Sequence, residues 1–528
     1  MMKKMILSLL LPLLGATALF AGDLFYNVRD YGAAGDGVQI DSPAINAAIE
    51  AAAQAGGGTV FFPAGTYLSY SLHLQDHITL HLERGAVLKA AVPDADHAYD
   101  PAEPNESNYQ DFGHSHWQNS LIWGIGLHDV AIVGGGLIDG TGALSNGFGR
   151  QDRQANKAVA LKECRDVTIR DIRMLQCGHF ALLLTGVDNL TIHNVLVDTN
   201  RDAFDIDCCA NVRISDCQVN SLNDDAIVLK CSYALGYPKP TDNVTITNCH
   251  VSGYDPGSVF AGTFTKNVQA APDRDGPTGR IKLGTESNGG FRNITISNCT
   301  FDRCRGLALE TVDGAVIEDV VVDNIVMRDI CNSPIYVRLG NRARGPQELP
   351  HSVIRRVKIS HVSVKNADSR YASMIFGLEG HCIEDVSLSH ITIQYRGGLS
   401  LKDVTAQTGS NNFFRRDAPQ QETRDPFDVP QQEKGYPEPS SHGILPAAAF
   451  YISHARNVSL DHIRFEFIEA DLRPGIVLSD VEGIRFEQIS GNDCSPRFVL
   501  KDVKDFVAVD VAGMKNTQIA RADDKQIK

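Results

Sequence analysis

The chain has 528 residues and a formal net charge of −15, long enough for several average domains or for one elongated repeat fold. The negative charge argues against a nucleic-acid backbone or an anionic membrane surface as partner. It also means that any acidic ligand needs locally placed cations.

At the N-terminus, Met1-Met2-Lys3-Lys4 is followed by "MILSLLLPLLGATALFAG", a basic start, an apolar run and small residues around Ala21. That pattern is a secretory signal peptide. Residues 1–21 are therefore expected to be removed, leaving 22–528 as an exported protein, periplasmic or extracellular, with no membrane insertion after cleavage. No later run is long and apolar enough to span a bilayer. Twelve cysteines in an exported chain raise the expectation of disulfides, but no C-x-x-C occurs.

Residues 28–67 read as strand, glycine-rich turn, amphipathic helix and strand. Ser42 is expected to cap the helix with Pro43 at its first position, and Gly56–Gly58 to stop it. A helix laid across the open end of a repeat stack shields exposed backbone and apolar groups.

From Val167 a pattern recurs: "VTIRDIRM", then "LTIHNVLV" from Leu190, "VRISDCQV" from Val212, "VTITNCHV" from Val244 and "ITISNCTF" from Ile294. It continues from Val320, Val357, Val386 and Val458. The closest copies start 22 or 23 residues apart, the length of one coil of a parallel β-helix. Positions one, three, six and eight are apolar, so period-two alternation slips once and resumes, which marks a corner between two strands. The corner residue is Asp171, Asn194, Asp216, Asn248, Asn298, Asn324, His361, His390 or His462, and Asn and Asp tolerate left-handed backbone angles. Position six holds Cys217, Cys249 and Cys299, which read as core thiols rather than metal ligands or disulfides. The wide side of such a rod offers a groove for a polymer. Two polar, Pro- and Gly-rich insertions, 252–280 and 403–446, read as long loops, functional or mobile.

Counting from each repeat start, Asp202 lies 12 residues after Leu190 and Asp224 lies 12 after Val212, which predicts one column in adjacent coils. His179 falls in that column one coil earlier, with Asp225 adjacent and Asp205 and Asp207 extending the acidic patch. Two carboxylates ~5 Å apart repel by about 3 kcal/mol at an effective dielectric near 20, enough to separate their titrations by about two pK units. One then serves as acid and another as base, the division that glycosidic cleavage needs. A calcium site and a solvated acidic turn are the competing readings of the same acids.

These residues resemble glycoside hydrolase family 28, the polygalacturonase family of right-handed parallel β-helix enzymes. The resemblance runs from "RDYGAAGDG" and "FFPAGTY" through "NRDAFD" and "NDDAIVLK". The family's Asn-Thr-Asp is similar to Asn200-Arg201-Asp202, and its Gly-Asp-Asp to Asn223-Asp224-Asp225. Its Gly-His-Gly has no counterpart, the histidine position falling near Thr278. Its Arg-Ile-Lys falls on Ala308-Leu309-Glu310, where neither cation is kept.

The resemblance implies an all-β, right-handed, single-stranded parallel β-helix with an N-terminal capping helix, spanning 22–528. It implies an inverting, secreted hydrolase of α-glycosidic bonds in pectin-type polysaccharide, acting on a uronide or on a rhamnose-containing chain. Asp224 would protonate the glycosidic oxygen, while Asp202 and Asp225 activate water. His179, Lys230, Glu286, Arg338, Arg342 and Arg344 are the candidate substrate-binding residues, the arginines as grips for a uronate. No cofactor and no metal are expected, and the protein is expected to be a monomer whose partner is a polysaccharide or oligosaccharide. A β-helix lyase or epimerase using Ca²⁺, and a non-catalytic glycan-binding rod, are the alternatives.

Overall fold

The computed structural model describes residues 25–107, 109–110, 112–147, 153–269, 276–346, 348–406, 425–492 and 497–528. The signal-peptide stretch 1–21 and parts of both expected loops (270–275 and 407–424) lie outside the described residues. Among those described, the chain is a right-handed parallel β-helix, all-β apart from short helices.

The nine repeat starts occupy one hydrogen-bonded row. Val167 pairs with Leu190, Leu190 with Val212, Val212 with Val244 and Val244 with Ile294. Ile294 then pairs with Val320, Val320 with Val357, Val357 with Val386 and Val386 with Val458. The expected corner residues all have positive φ, from Asn194 at 51° to Asp171 at 60°. Each left-handed non-glycine residue costs about 1–2 kcal/mol, and local side-chain bonds offset this: Asn194 donates to Asp171 at 2.8 Å and Asn324 to Asn298 at 2.7 Å. Further along, the rings of His361, His390 and His462 stack on one another.

The stack is longer than the repeat predicts. Four rungs precede the nine, at Tyr26, Val60, Leu80 and Ile132, and two follow, at Phe486 and Ala508. At a spacing of ~4.8 Å the whole ladder is about 70 Å long. The early coils escape the pattern because their corners differ, Gly134 (φ 117°) standing where later coils place Asn or Asp. The late ones turn at Gln488 and Asp510, also at positive φ.

The capping helix is Ser42–Gln54. Its cap residue is Asp41, not Ser42, because the Asp41 carbonyl accepts the first helical bond from Ile45. The Asp41 carboxylate accepts instead from the Ala34 and Gly35 amides, which ties the glycine-rich turn to the helix start. Ile45, Ala48, Ile49 and Ala52 face the first coil and are buried. At the other end the strand Thr517–Ile527 runs antiparallel along Phe498–Val511, with Arg521, Asp523 and Asp524 exposed on it. Charged residues on a terminal strand discourage edge-to-edge pairing. The described cysteines are all free thiols; Cys217, Cys249 and Cys299 are buried in the core as expected. No described helix is long and apolar enough to cross a membrane.

Candidate active site

A second parallel sheet carries the acids. Its strands Phe180–Thr185, Phe204–Asp207, Ile227–Cys231 and Ile281–Ser287 are buried at every position, so their outward faces are covered too. One outward row runs through Trp123, Ala160, Leu183, Asp205, Val228 and Lys282. It continues through Ala308, Tyr336, Met374, Tyr451 and Val477. The row is apolar at both ends and charged in its middle. At the early end Trp117 and Ala234 pack over Ala160, Phe180 and Leu183. At the late end Phe427, Val429 and Leu445, from the second insertion, cover Ala308, Tyr336, Met374 and Tyr451. The open groove expected along the rod is thus a site bounded on both sides, because apolar outward residues recruit covering segments.

Asp202 and Asp225 each precede a site strand by two residues, and Phe204 pairs with Ile227, so these two acids are neighbours in the row. The Ala203 amide donates to the Asp225 carbonyl at 3.1 Å. The expected column of Asp202 with Asp224 is therefore shifted by one. Thr199 still pairs with Ser221, but the turn after Ser221 holds one residue more than the turn after Thr199, and this displaces Asp224 onto the row of Arg201. By the same register His179 lies beside Arg201, with Nε2 3.8 Å from Asp202. Asp202, Asp224 and Asp225 nevertheless converge, one oxygen of each lying within 4.8 Å of the others.

Their surroundings differ. Burial, then the Asp224 charge, pushes the Asp202 carboxyl well above its usual range. Asp225 is equally buried, but Lys282 and Arg280 outweigh burial and hold its carboxyl below the usual range; Arg280 Nε lies 2.9 Å and Lys282 Nζ 3.4 Å away. Asp224, the most exposed of the three with 23% of its side chain open, accepts a charge-assisted hydrogen bond of 2.6 Å from Arg201. The site thus sets a carboxyl shifted upward beside one shifted downward.

Arg280-Ile281-Lys282 escaped sequence reasoning although the tripeptide stands in plain sight. It spells the family's Arg-Ile-Lys, but one coil before the expected place. Lys282 pairs in register with Ala308, and Glu310, two residues on, answers Lys282 at 3.4 Å and Arg280 at 3.9 Å. Burial lifts Glu310 to about 7 against the pull of those two cations. Tyr436 and Glu438, from the second insertion, complete this set: Lys282 donates to the Tyr436 hydroxyl at 3.2 Å, and Glu438 meets Arg280 and Arg305, each at 3.0 Å.

A second ionic set uses predicted residues. Lys230 lies 2.6 Å from Asp205, 3.5 Å from Glu286 and 2.6 Å from His114 Nε2. Burial opposes the Glu286 charge, but Lys230 and Arg342 outweigh it and hold its carboxyl well down. Arg342 also grips Asp313. Arg338 is buried and donates to main-chain carbonyls of Phe376, Gly377 and Gln431. Arg344 is exposed and binds Asp313 through its backbone amide. His114 and His179 are driven towards neutrality by burial. A nitrogen of each and an oxygen of Asp202 lie within 4.8 Å of one another, as a metal site would require, but the Lys230 ammonium, of the same sign of charge as a metal ion, lies 2.6 Å from His114 Nε2.

Residues 106–259 match the family described as Glycosyl hydrolases family 28, and residues 25–81 match Rhamnogalacturonase A/epimerase, pectate lyase-like. This is a right-handed parallel β-helix protein, and over segment 106–259 it is similar to glycosyl hydrolases family 28. A probable polygalacturonase of Vitis vinifera is 26% identical over 309 residues, 54% of this chain and 61% of its own length. A plasmin and fibronectin-binding protein A of Streptococcus pneumoniae is 30% identical over 256 residues, 44% of this chain and 32% of its own length. The chain thus spans less than two thirds of either relative. Among solved structures, the family 28 exopolygalacturonase of Yersinia enterocolitica is similar in fold, with a TM-score of 0.60 and 17% identity, covering 89% of this chain and 78% of that one.

Proposed function

We propose that the protein is an exported glycoside hydrolase that removes residues from the ends of pectin-type α-glycans. The observation that carries this reading is the convergence of Asp202, Asp224 and Asp225 in the charged middle of an outward row whose two ends are covered. A chain end fits such a bounded site, whereas an internal segment of a polymer needs an open one. The family match and the polygalacturonase relative support the reaction class.

Asp202 holds the proton for the leaving oxygen, and Asp225, kept ionised by Arg280 and Lys282, activates water with Asp224 beside it. This exchanges the roles that the resemblance implies for Asp202 and Asp224. The close spacing of the acids is nearer the ~5 Å of retaining pairs than the ~6.5–9.5 Å of inverting ones. Inversion therefore requires Asp224 and Asp225 to hold the water together from one side. Residues 22–528 act as one unit and as a monomer in this reading.

The test is a panel of pectic oligosaccharides with products followed by NMR. Saturated monosaccharides released from one end, first as the inverted anomer, support the proposal; an unsaturated product overturns it in favour of elimination. Asp202→Asn and Asp225→Asn separate the roles, because a good leaving group needs no acid. Turnover of a 4-nitrophenyl glycoside should survive the first substitution far better than the second.

A further inference from the structure

We infer that the sugar at the scissile bond is neutral at C6, a hexose or 6-deoxyhexose rather than a uronate; this rests on the hydrolase reading above. A uronate carboxylate beside Asp202, Asp224 and Asp225 needs a cation with charge to spare. The four nearest have none. Arg201 is bound to Asp224 at 2.6 Å, and Lys230 to Asp205 at 2.6 Å. Arg280 is shared between Asp225 and Glu438, and Lys282 between Asp225 and Glu310. None of these four side chains is more than 6% exposed.

Glu310 is the decisive departure. It stands on the register position where the resemblance puts a lysine, so a buried carboxyl group has taken the place of a cation and lies 3.4 Å from Lys282. Neither Glu310 oxygen accepts a hydrogen bond among the described residues, and its ionic contacts are with Lys282 and Arg280. The most exposed member of the acid cluster is Asp224, itself an acidic side chain. Like charges brought together in a recognition site weaken binding. Tyr436, half-buried with its hydroxyl on Lys282, adds an aromatic wall, which suits the C–H face of an uncharged sugar.

Three 4-nitrophenyl glycosides test this on the full chain: α-D-galactopyranoside, α-L-rhamnopyranoside and α-D-galactopyranosiduronic acid, with calorimetric binding of galactose, rhamnose and galacturonate alongside. A neutral glycoside should be cleaved with kcat/KM at least about tenfold above the uronide, and a neutral sugar should bind more tightly than galacturonate. Equal or faster cleavage of the uronide overturns the inference but leaves the hydrolase reading standing. Absence of any hydrolysis overturns the hydrolase reading, and the binding order then still decides the sugar. In Glu310→Gln, which releases one of the two carboxylates on Lys282, the ratio of neutral to uronide activity should fall several-fold. An unchanged ratio removes Glu310 as its cause.

Discussion

The repeat sheet and the site sheet are strands of the same coils, yet they handle their outward faces in opposite ways. In the repeat sheet, strand Val316–Arg328 alternates between buried and open positions along its length. In the site sheet, Ile281–Ser287 is buried throughout, including Lys282 and Glu286. Water solvates the outer face of the first. The second must satisfy its polar groups with one another and with segments from elsewhere, and a buried charge is tolerated only when paired. The repeat sheet is therefore built for stability and the site sheet for chemistry.

The comparison breaks most sharply at the acids. Asp202→Asn should lower kcat on natural oligosaccharides by about 10²–10⁴-fold, with the melting temperature unchanged or raised, because a buried carboxyl whose pKa burial pushes upward loses little on becoming a neutral amide. An equivalent change in the repeat sheet should do the reverse. Ile246→Ala, in the fully buried inner row, should cost about 2–5 kcal/mol of stability, read by denaturant unfolding, with kcat/KM altered less than about threefold below the melting transition.

Glu310 predicts a pH signature that the repeat sheet lacks. Burial pushes the Glu310 carboxyl up to about 7 from its ordinary value of 4.5, so between those values the folded state binds more protons than the unfolded state. The associated stability is fully present below about 4.5 and is lost as pH rises through about 7. Unfolding free energy measured across pH 4.5–7.5 should fall with rising pH, and Glu310→Gln should flatten the slope. A slope unchanged by the substitution would show that another group is responsible. Arg201→Thr, which restores the family's Asn-Thr-Asp, should leave Asp224 without its anchor and change kcat/KM by about tenfold.

The smallest effect belongs to the corners. Asn298→Ala, at φ 55°, should destabilise by about 1 kcal/mol, and Asn298→Gly by less or not at all, since glycine adopts left-handed angles freely. Parallel melts of the two variants separate backbone strain from the lost side-chain bonds.

Legibility followed the same division. Nine coils, their corner residues and their register were readable from 167 onward, because each rung repeats one local problem: an apolar strand, a left-handed corner, another apolar strand. The three catalytic candidates were readable as well, since Asp202 and Asp224 stand at the same count after their repeat starts and Asp225 is adjacent. Their pairing was not, because one extra residue in the turn after Ser221 exchanges Asp224 for Asp225 as the neighbour of Asp202, and no repeat pattern reports on a turn.

By itself the sequence determined the coil, its handed corners and the place of the acids, all of which depend on residues close together in the chain. Only the tertiary structure decided what those acids face. Arg280 and Lys282 arrive from the next coil, 55 residues from Asp225 in the case of Arg280, and Glu438 from an insertion 158 residues beyond Arg280. Charges so far apart in sequence interact through a buried, low-dielectric contact that exists only once the coils have stacked.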